Sequence, residues 1–194
     1  CKVMSLNEDT DVKDLLVRQT FGEKEEGKTG WTDSVLVEAM RNGTYVILDE
    51  IDRVQPGVLS SLNNILQFRQ VTLPNGEVVT AHPDFRVFAT MNPPRPPYTG
   101  NLLSGELEDR FSIHNIDYLP EEEELAVLKT YAPQIKRSRI RELIRVANDL
   151  RNAYKNGVLP RPLSTRALVR IAKHLNSYPK DDIVVVVKKA YNLE

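Results

Sequence analysis

Tyr45-Val-Ile-Leu-Asp49-Glu50 runs an apolar stretch into two adjacent carboxylates, and Ile-Asp-Arg follows. The pattern is that of a fully buried strand that delivers its acids to the carboxyl end of an open α/β sheet, where such sheets bind ligands. There Asp49 can hold Mg²⁺ and Glu50 can polarise an attacking water, the division of labour of a phosphoryl-transfer site. Such chemistry needs a phosphate cradle. Gly22-Glu-Lys-Glu-Glu-Gly27-Lys28-Thr29 satisfies G-x-x-x-x-G-K-[ST] literally. A working cradle, however, follows an apolar strand and opens a helix. Here the preceding segment has helical spacing, and Gly30-Trp-Thr-Asp interrupts what comes next. Glu23, Glu25 and Glu26 would also bring carboxylates toward a triphosphate that is bound by backbone N–H groups and positive charge. The interval from Lys28 to Asp49 has room for one short helix and none for further strands. We therefore read 20–30 as a charged loop or exposed hairpin and expect the cradle upstream of Cys1.

Three more positions could join the acids. Asn92 ends the apolar run Phe85-Arg-Val-Phe-Ala-Thr-Met, where an amide could orient a water or a terminal phosphate. Its plain alternative is a turn asparagine ahead of Pro93. Arg110 stands in Glu106-Leu-Glu-Asp-Arg-Phe111, on the edge of a helix. Arg166 follows Ser164, an N-cap, in Leu163-Ser-Thr-Arg-Ala-Leu. A cation in a first turn opposes the helix dipole, which leaves room for a purpose beyond helix stability, although neighbouring Arg161 and Arg170 compete for the assignment.

The elements that must position these residues follow from periodicity and punctuation. Lys2–Leu6 reads as a strand. Val12, Leu15 and Leu16 place a helix over 9–19, capped by Asp9 or Thr10. Asp33 caps a second helix carrying Val35, Leu36, Ala39 and Met40, which Asn42-Gly43 ends. After the acid strand, Val54-Gln-Pro-Gly opens a helix with Val58, Leu59, Leu62, Ile65 and Leu66 on its buried stripe. Residues 71–80 read as a β-hairpin turning at Asn75-Gly76. From Pro120 onward the patterns are helical, over 121–131, 138–156, 164–177 and 180–191, the last despite β-branched Val184–Val187.

The order strand-DE, helix, hairpin, strand-ATMN, L-x-D-R-F and a helical region with S-T-R resembles the AAA+ ATPases. The resemblance covers nearly the whole chain and is strongest to the MoxR, midasin and dynein-related branch. Asn7-Glu-Asp-Thr-Asp-Val-x-Asp-Leu-Leu looks like that branch's second strand and the helix after it. The 20–32 segment sits where the branch inserts a hairpin into its second helix, and 71–80 matches the hairpin that precedes sensor 1. The run from Leu163 to Tyr178-Pro179 is most similar to the AAA modules of large proteins ending in a von Willebrand factor A domain.

The resemblance implies a P-loop-type three-layer α/β core over 1–117, truncated at its N-terminus and lacking the first strand and the cradle. A small all-helical lid would follow over 118–194. By the same resemblance Asp49 is the Walker B magnesium acid, Glu50 the catalytic glutamate and Asn92 sensor 1. Arg110 is the arginine finger and Arg166 sensor 2. ATP and Mg²⁺ are the implied cofactors. Neighbouring AAA+ modules in a ring, in cis or in trans, are the implied partners, with a protein client. The compartment implied is intracellular: mitochondrial for the von Willebrand factor A type, nuclear for the midasin type, cytoplasmic for the bacterial MoxR type.

Composition narrows the alternatives. The 194 residues are 41% hydrophobic and 27% charged, with a net charge of −1, which argues against a nucleic-acid face. The longest apolar run, Ile183–Val187, is too short to span a membrane. The single cysteine, Cys1, excludes an internal disulfide and fits a reducing compartment. A start at Cys rather than Met reads as an internal segment. His82, His114 and His174 are isolated, which gives no zinc site. Pro93–Tyr98 reads as a stiff loop, Glu121–Glu124 as acids complementing a helix dipole, and the basic residues of 136–145 as a solvated face. Two competing functions stand beside ATP-driven remodelling. One is a non-hydrolysing scaffold module. The other is a helicase-type ATPase, since Asp49-Glu-Ile-Asp52 resembles a DExD box.

Overall fold

The structure, a computed structural model, describes residues 1–21, 29–94 and 96–191. The chain divides into two compact units, Cys1–His114 and Asn115–Glu194. The first contains β1 (Lys2–Ser5), α1 (Val12–Leu16), β2 (Val17–Phe21), β3 (Thr29–Asp33), α2 (Val35–Asn42) and β4 (Tyr45–Asp49). It continues with α3 (Pro56–Phe68), β5 (Gln70–Thr72), β6 (Val78–Thr80), β7 (Arg86–Ala89) and α4 (Gly105–Glu108). Strands β1, β4 and β7 form a parallel sheet in that order, with Ser5 opposite Asp49 and Leu48 opposite Ala89. The acid strand is thus the middle strand of the described sheet. The expected α/β architecture is present, as is the helical region after it.

The sheet is covered less evenly than its sequence implied. Val46 and Leu48 are fully buried and share one core with α2 and α3. On the opposite face Val3, Tyr45 and Phe88 are 58%, 51% and 53% exposed, and the rings of Tyr45 and Phe88 lie 5.9 Å apart. The expectation of a strand buried on both faces is met, among the described residues, on one. An unbroken apolar run specifies a strand but not which of its faces is covered.

Local chemistry explains where the helices begin and end. The helical spacing over 9–19 yields only the five residues of α1, with Asp11 as the cap. The Asp11 carboxylate accepts the Asp14 N–H at 2.9 Å, and the Asp14 carboxylate accepts the Asp11 N–H at 3.0 Å, a reciprocal capping box. Beyond Leu16 the chain extends into β2, because pairing with β3 outweighs weak helical spacing. Ser34, not Asp33, caps α2: its hydroxyl accepts the Val37 N–H at 3.2 Å and donates to the Leu15 carbonyl at 2.5 Å. Gly43 ends α2 in the left-handed region at φ 63°. A Cβ there would lie 2.3 Å from His82 Nδ1.

The second hairpin forms as expected, with Gln70 opposite Thr80 and Thr72 opposite Val78. Its turn is three residues, Pro74-Asn75-Gly76. The Gly76 N–H donates to Leu73, and the Leu73 N–H donates to Glu77.

The second unit holds α5 (Glu121–Tyr131), α6 (Arg137–Lys155), α7 (Thr165–Ser177) and α8 (Ile183–Tyr191). Leu125, Leu128, Ile140, Leu143, Ile144, Leu168, Ile171 and Leu175 form its core. Helix α8 contributes Ile183, Val187 and Tyr191, spaced one helical turn apart. Burial of that stripe overrides the β-branched preference of Val184–Val187. No helix among the described residues is long and apolar enough to cross a membrane.

Candidate active site

The acids stand at the carboxyl end of β4, and the hub that organises them is Thr90, just past β7. Its hydroxyl donates a hydrogen bond to Asp49 Oδ1 and accepts the Glu50 N–H at 3.1 Å. Its N–H donates to Leu48 and its carbonyl accepts the Ile51 N–H, both at 2.9 Å. One residue therefore holds the strand end, both acids and the turn after them. Glu50 adopts the left-handed conformation, φ 59° and ψ 49°, rare for a residue with a Cβ. That backbone turn breaks the strand between the two acids, so Asp49 stays half-buried in the ladder while Glu50 stands exposed. The Arg53 guanidinium lies 4.0 Å from the Glu50 carboxylate and 3.4 Å from that of Glu8. At such exposure these pairs contribute little.

Asn92 joins this cluster through its backbone. Its N–H donates to Asp52 Oδ1 at 3.3 Å, and its side-chain amide has no hydrogen-bond partner among the described residues. Asp52 is 2% exposed. Its carbonyl accepts the Asn101 N–H at 2.6 Å, and the Asn101 amide donates to the Val54 carbonyl at 3.1 Å. Gly100 presses on the Asp52 side chain so closely that a Cβ would sit 2.1 Å from Oδ2. Two ends of the 92–101 loop are thereby strapped across the turn that follows the acids.

Sequence reasoning missed Thr90 and Gly100 and named Asp52 only within the Asp49-Glu-Ile-Asp52 run. A polar residue closing an apolar strand was the available signal for Thr90. Asp52 offered only its place as a third acid, and Gly100 offered nothing.

The remaining candidates are Arg110 in the first unit and Arg166 in the second. Arg110 follows α4, its Nε 2.5 Å from Asn63 Oδ1 on α3 and its Nη2 3.7 Å from Glu106. It lines a shallow cavity of about 290 Å³ with Phe85, Arg86, Val87 and Phe111, which includes the amino-terminal half of β7 rather than the end that carries the acid cluster. Arg166 is exposed on the first turn of α7 in the helical unit and has no ion pair or hydrogen bond among the described residues. The glycine-lysine match at Gly22–Lys28 lies outside the described residues. Its flanks, β2 and β3, pair antiparallel with Phe21 opposite Thr29. Both flanks are thus strands, where a working cradle is followed by a helix.

The donor set fits a hard cation. A half-buried carboxylate and a hydroxyl offer oxygen ligands, which Mg²⁺ prefers. Among the described residues no group of three or more His, Cys, Asp or Glu could hold a metal alone.

Comparison with known proteins places the chain in a family. The profile of the AAA domain, dynein-related subfamily, matches residues 1–111, and the CbbQ/NirQ/NorQ C-terminal profile matches 124–180. Mouse von Willebrand factor A domain-containing protein 8 is 31% identical over 98% of the chain. Midasin of Dictyostelium discoideum is 35% identical over 73%, and an uncharacterized protein of Staphylococcus haemolyticus 32% identical over 88%. The chain spans 11%, 2% and 66% of these relatives, respectively. A crystal structure of a candidate ATPase from Cytophaga hutchinsonii superposes with a TM-score of 0.55 at 19% identity. It covers 90% of this chain and 61% of that one, and the likeness is one of fold.

Proposed function

The chain belongs to the dynein-related subfamily of AAA domains, and from that premise we propose that it hydrolyses ATP to drive remodelling of a macromolecular complex. Family membership supports ATPase-type activity in general, with nucleotide and, usually, Mg²⁺ bound. The observation that carries the reading further is the Thr90 hydroxyl bridging Asp49 and the Glu50 backbone. It sets two adjacent carboxylates apart by environment, one tied into the ladder and one turned toward solvent, as two different tasks require.

Asp49, with Thr90 oriented on it, would hold Mg²⁺, which when bound neutralises charge on the triphosphate oxygens. Glu50 takes the proton of the attacking water through its exposed carboxylate. Asn92 is held by its backbone on Asp52, which leaves its amide to orient that water or the terminal phosphate. These groups position and polarise; none forms a covalent bond.

Modules of this family generally assemble into rings. Arg110 is anchored on Asn63, away from its own acids, and acts in our reading on the site of a neighbouring module. Arg166, an exposed cation of the helical unit, is in our reading a nucleotide-binding residue. The client in this reading is a protein.

The test is Glu50→Gln in the full-length protein. ATP binding should persist while turnover falls by about 10²- to 10⁴-fold, the usual contribution of a general base. Undiminished hydrolysis would sink the assignment. Strong stimulation by RNA or DNA would shift the reading toward a helicase.

A further inference from the structure

The helical unit contains a buried ion pair that its own stability does not explain. Glu124 of α5 and Arg151 of α6 are 0% and 3% exposed. They pair in two parallel bonds, Nη1 to Oε2 at 2.9 Å and Nη2 to Oε1 at 2.8 Å. Arg151 Nε donates to the Leu163 carbonyl at 2.9 Å, and Nη1 donates to Asn148 Oδ1 at 3.0 Å. The Thr165 hydroxyl donates to Glu124 Oε1 at 2.8 Å. The Tyr118 ring lies 3.8 Å from the guanidinium carbon. Buried ion pairs are weak sources of stability, since well-packed apolar residues of similar volume often serve as well or better. What such a network supplies is geometry, because every partner must meet the others at fixed angles.

The network converges on one place. Leu163 and Thr165 flank Ser164, the cap of α7, whose hydroxyl accepts the Ala167 N–H at 3.2 Å. Both sides of the cap are therefore tied to the same ion pair. The next residue is Arg166, exposed and without a partner among the described residues. A cation there works against the helix dipole, so it does not serve the helix that carries it.

We infer that Glu124 and Arg151 are positioning residues: through Thr165 and the Leu163 carbonyl they fix the first turn of α7, and so hold Arg166 ready for the anionic phosphates of a nucleotide. This rests on the reading of Arg166 as a nucleotide-binding residue. The ion pair touches no ligand; it removes the ordering that Arg166 would otherwise undergo on binding.

The experiment is a mutant cycle in the full-length protein, read by affinity for a fluorescent ATP analogue and by amide exchange at Ala167 and Leu168. Glu124→Leu/Arg151→Met replaces the pair by apolar bulk. Thr165→Val cuts the link without stranding a charge, and Thr165→Ser keeps the hydroxyl. The pair replacement and Thr165→Val should each weaken binding by about threefold to tenfold and speed exchange in the first turn, the scale of coupling between contacting residues. Thr165→Ser should bind as the parent does. In an Arg166→Ala background neither change should weaken binding further.

Equal weakening with and without Arg166 overturns the positioning role, and so does unchanged binding in Thr165→Val. Thr165→Val decides the matter alone if the pair replacement does not fold. If Arg166→Ala itself leaves affinity unchanged, the reading of Arg166 fails and the positioning role falls with it. An effect of Arg166→Ala with an additive cycle overturns only the latter.

Discussion

At the scale of single residues, the site depends on groups that no motif names. Thr90 makes its bonds to Asp49 and Glu50 with one oxygen, so Thr90→Val removes both while preserving shape. Losing hydrogen bonds to a charged group costs about 1.5–3 kcal/mol, so steady-state turnover should fall by roughly tenfold to a hundredfold. Titration with Mg²⁺ should show the deficit persisting at saturation, because the Glu50 backbone is also released. Gly100 makes a separate prediction about stability. Gly100→Ala drives a Cβ into the buried Asp52 carboxylate and should cost about 1–3 kcal/mol, as overpacking does, read as a lowered unfolding midpoint. A midpoint equal to the parent's would mean that the 92–101 loop yields without cost.

At the scale of elements, caps and cross-element ion pairs hold the α/β unit in register. Ser34 both caps α2 and ties it to the end of α1, so Ser34→Ala should destabilise by about 1–2 kcal/mol in denaturant unfolding. Glu38 of α2 joins Lys2 of β1 and Arg18 of β2. The hydrogen bond from Lys2, then the charges of Lys2 and Arg18, hold its carboxyl below the ordinary value of 4.5 against the opposing effect of burial. A carboxylate whose value is lowered by folding contributes stability above its unfolded value and loses it as pH falls through the lowered folded one. Unfolding midpoints should therefore decline as pH drops below about 4.5, and Glu38→Gln should flatten that decline. An unchanged acid slope would remove Glu38 as its source.

At the scale of the whole molecule, Arg110 is the residue on which the proposal of a shared site can be tested. It bonds Asn63 and Glu106 and takes no part in its own acid cluster. If it serves a neighbour, Arg110→Ala should lower the activity of the assembled protein by about 10³-fold while leaving nucleotide binding by each module intact. Mixing it with Glu50→Gln tests the same point. Interfaces pairing an intact acid site with an intact arginine should restore part of the turnover, and no recovery at any mixing ratio counts against a shared site.

Much of this was legible in the sequence where the determining forces are local. Apolar runs, helical spacing and punctuation mark β4, α3 and α7, because a strand end, a proline at N1 and a serine cap act within a few residues. The apolar run before the acid pair marks a strand that ends at Asp49. Glu124 shows the limit. As one of four consecutive acids it reads as a complement to a helix dipole, yet it is the buried partner of Arg151, 27 positions away. Thr90 and Glu50 meet across 40 positions, and Asp52 meets Asn92 across the same interval. By itself, then, the sequence determined the fold class, an α/β part followed by helices, and most of the elements in it. Only the tertiary structure decided which hydroxyl orients the acids, which sheet face is covered and what holds the first turn of α7. Those are contacts between segments far apart in the chain, made only when the sheet and helices close, and no short-range pattern encodes them.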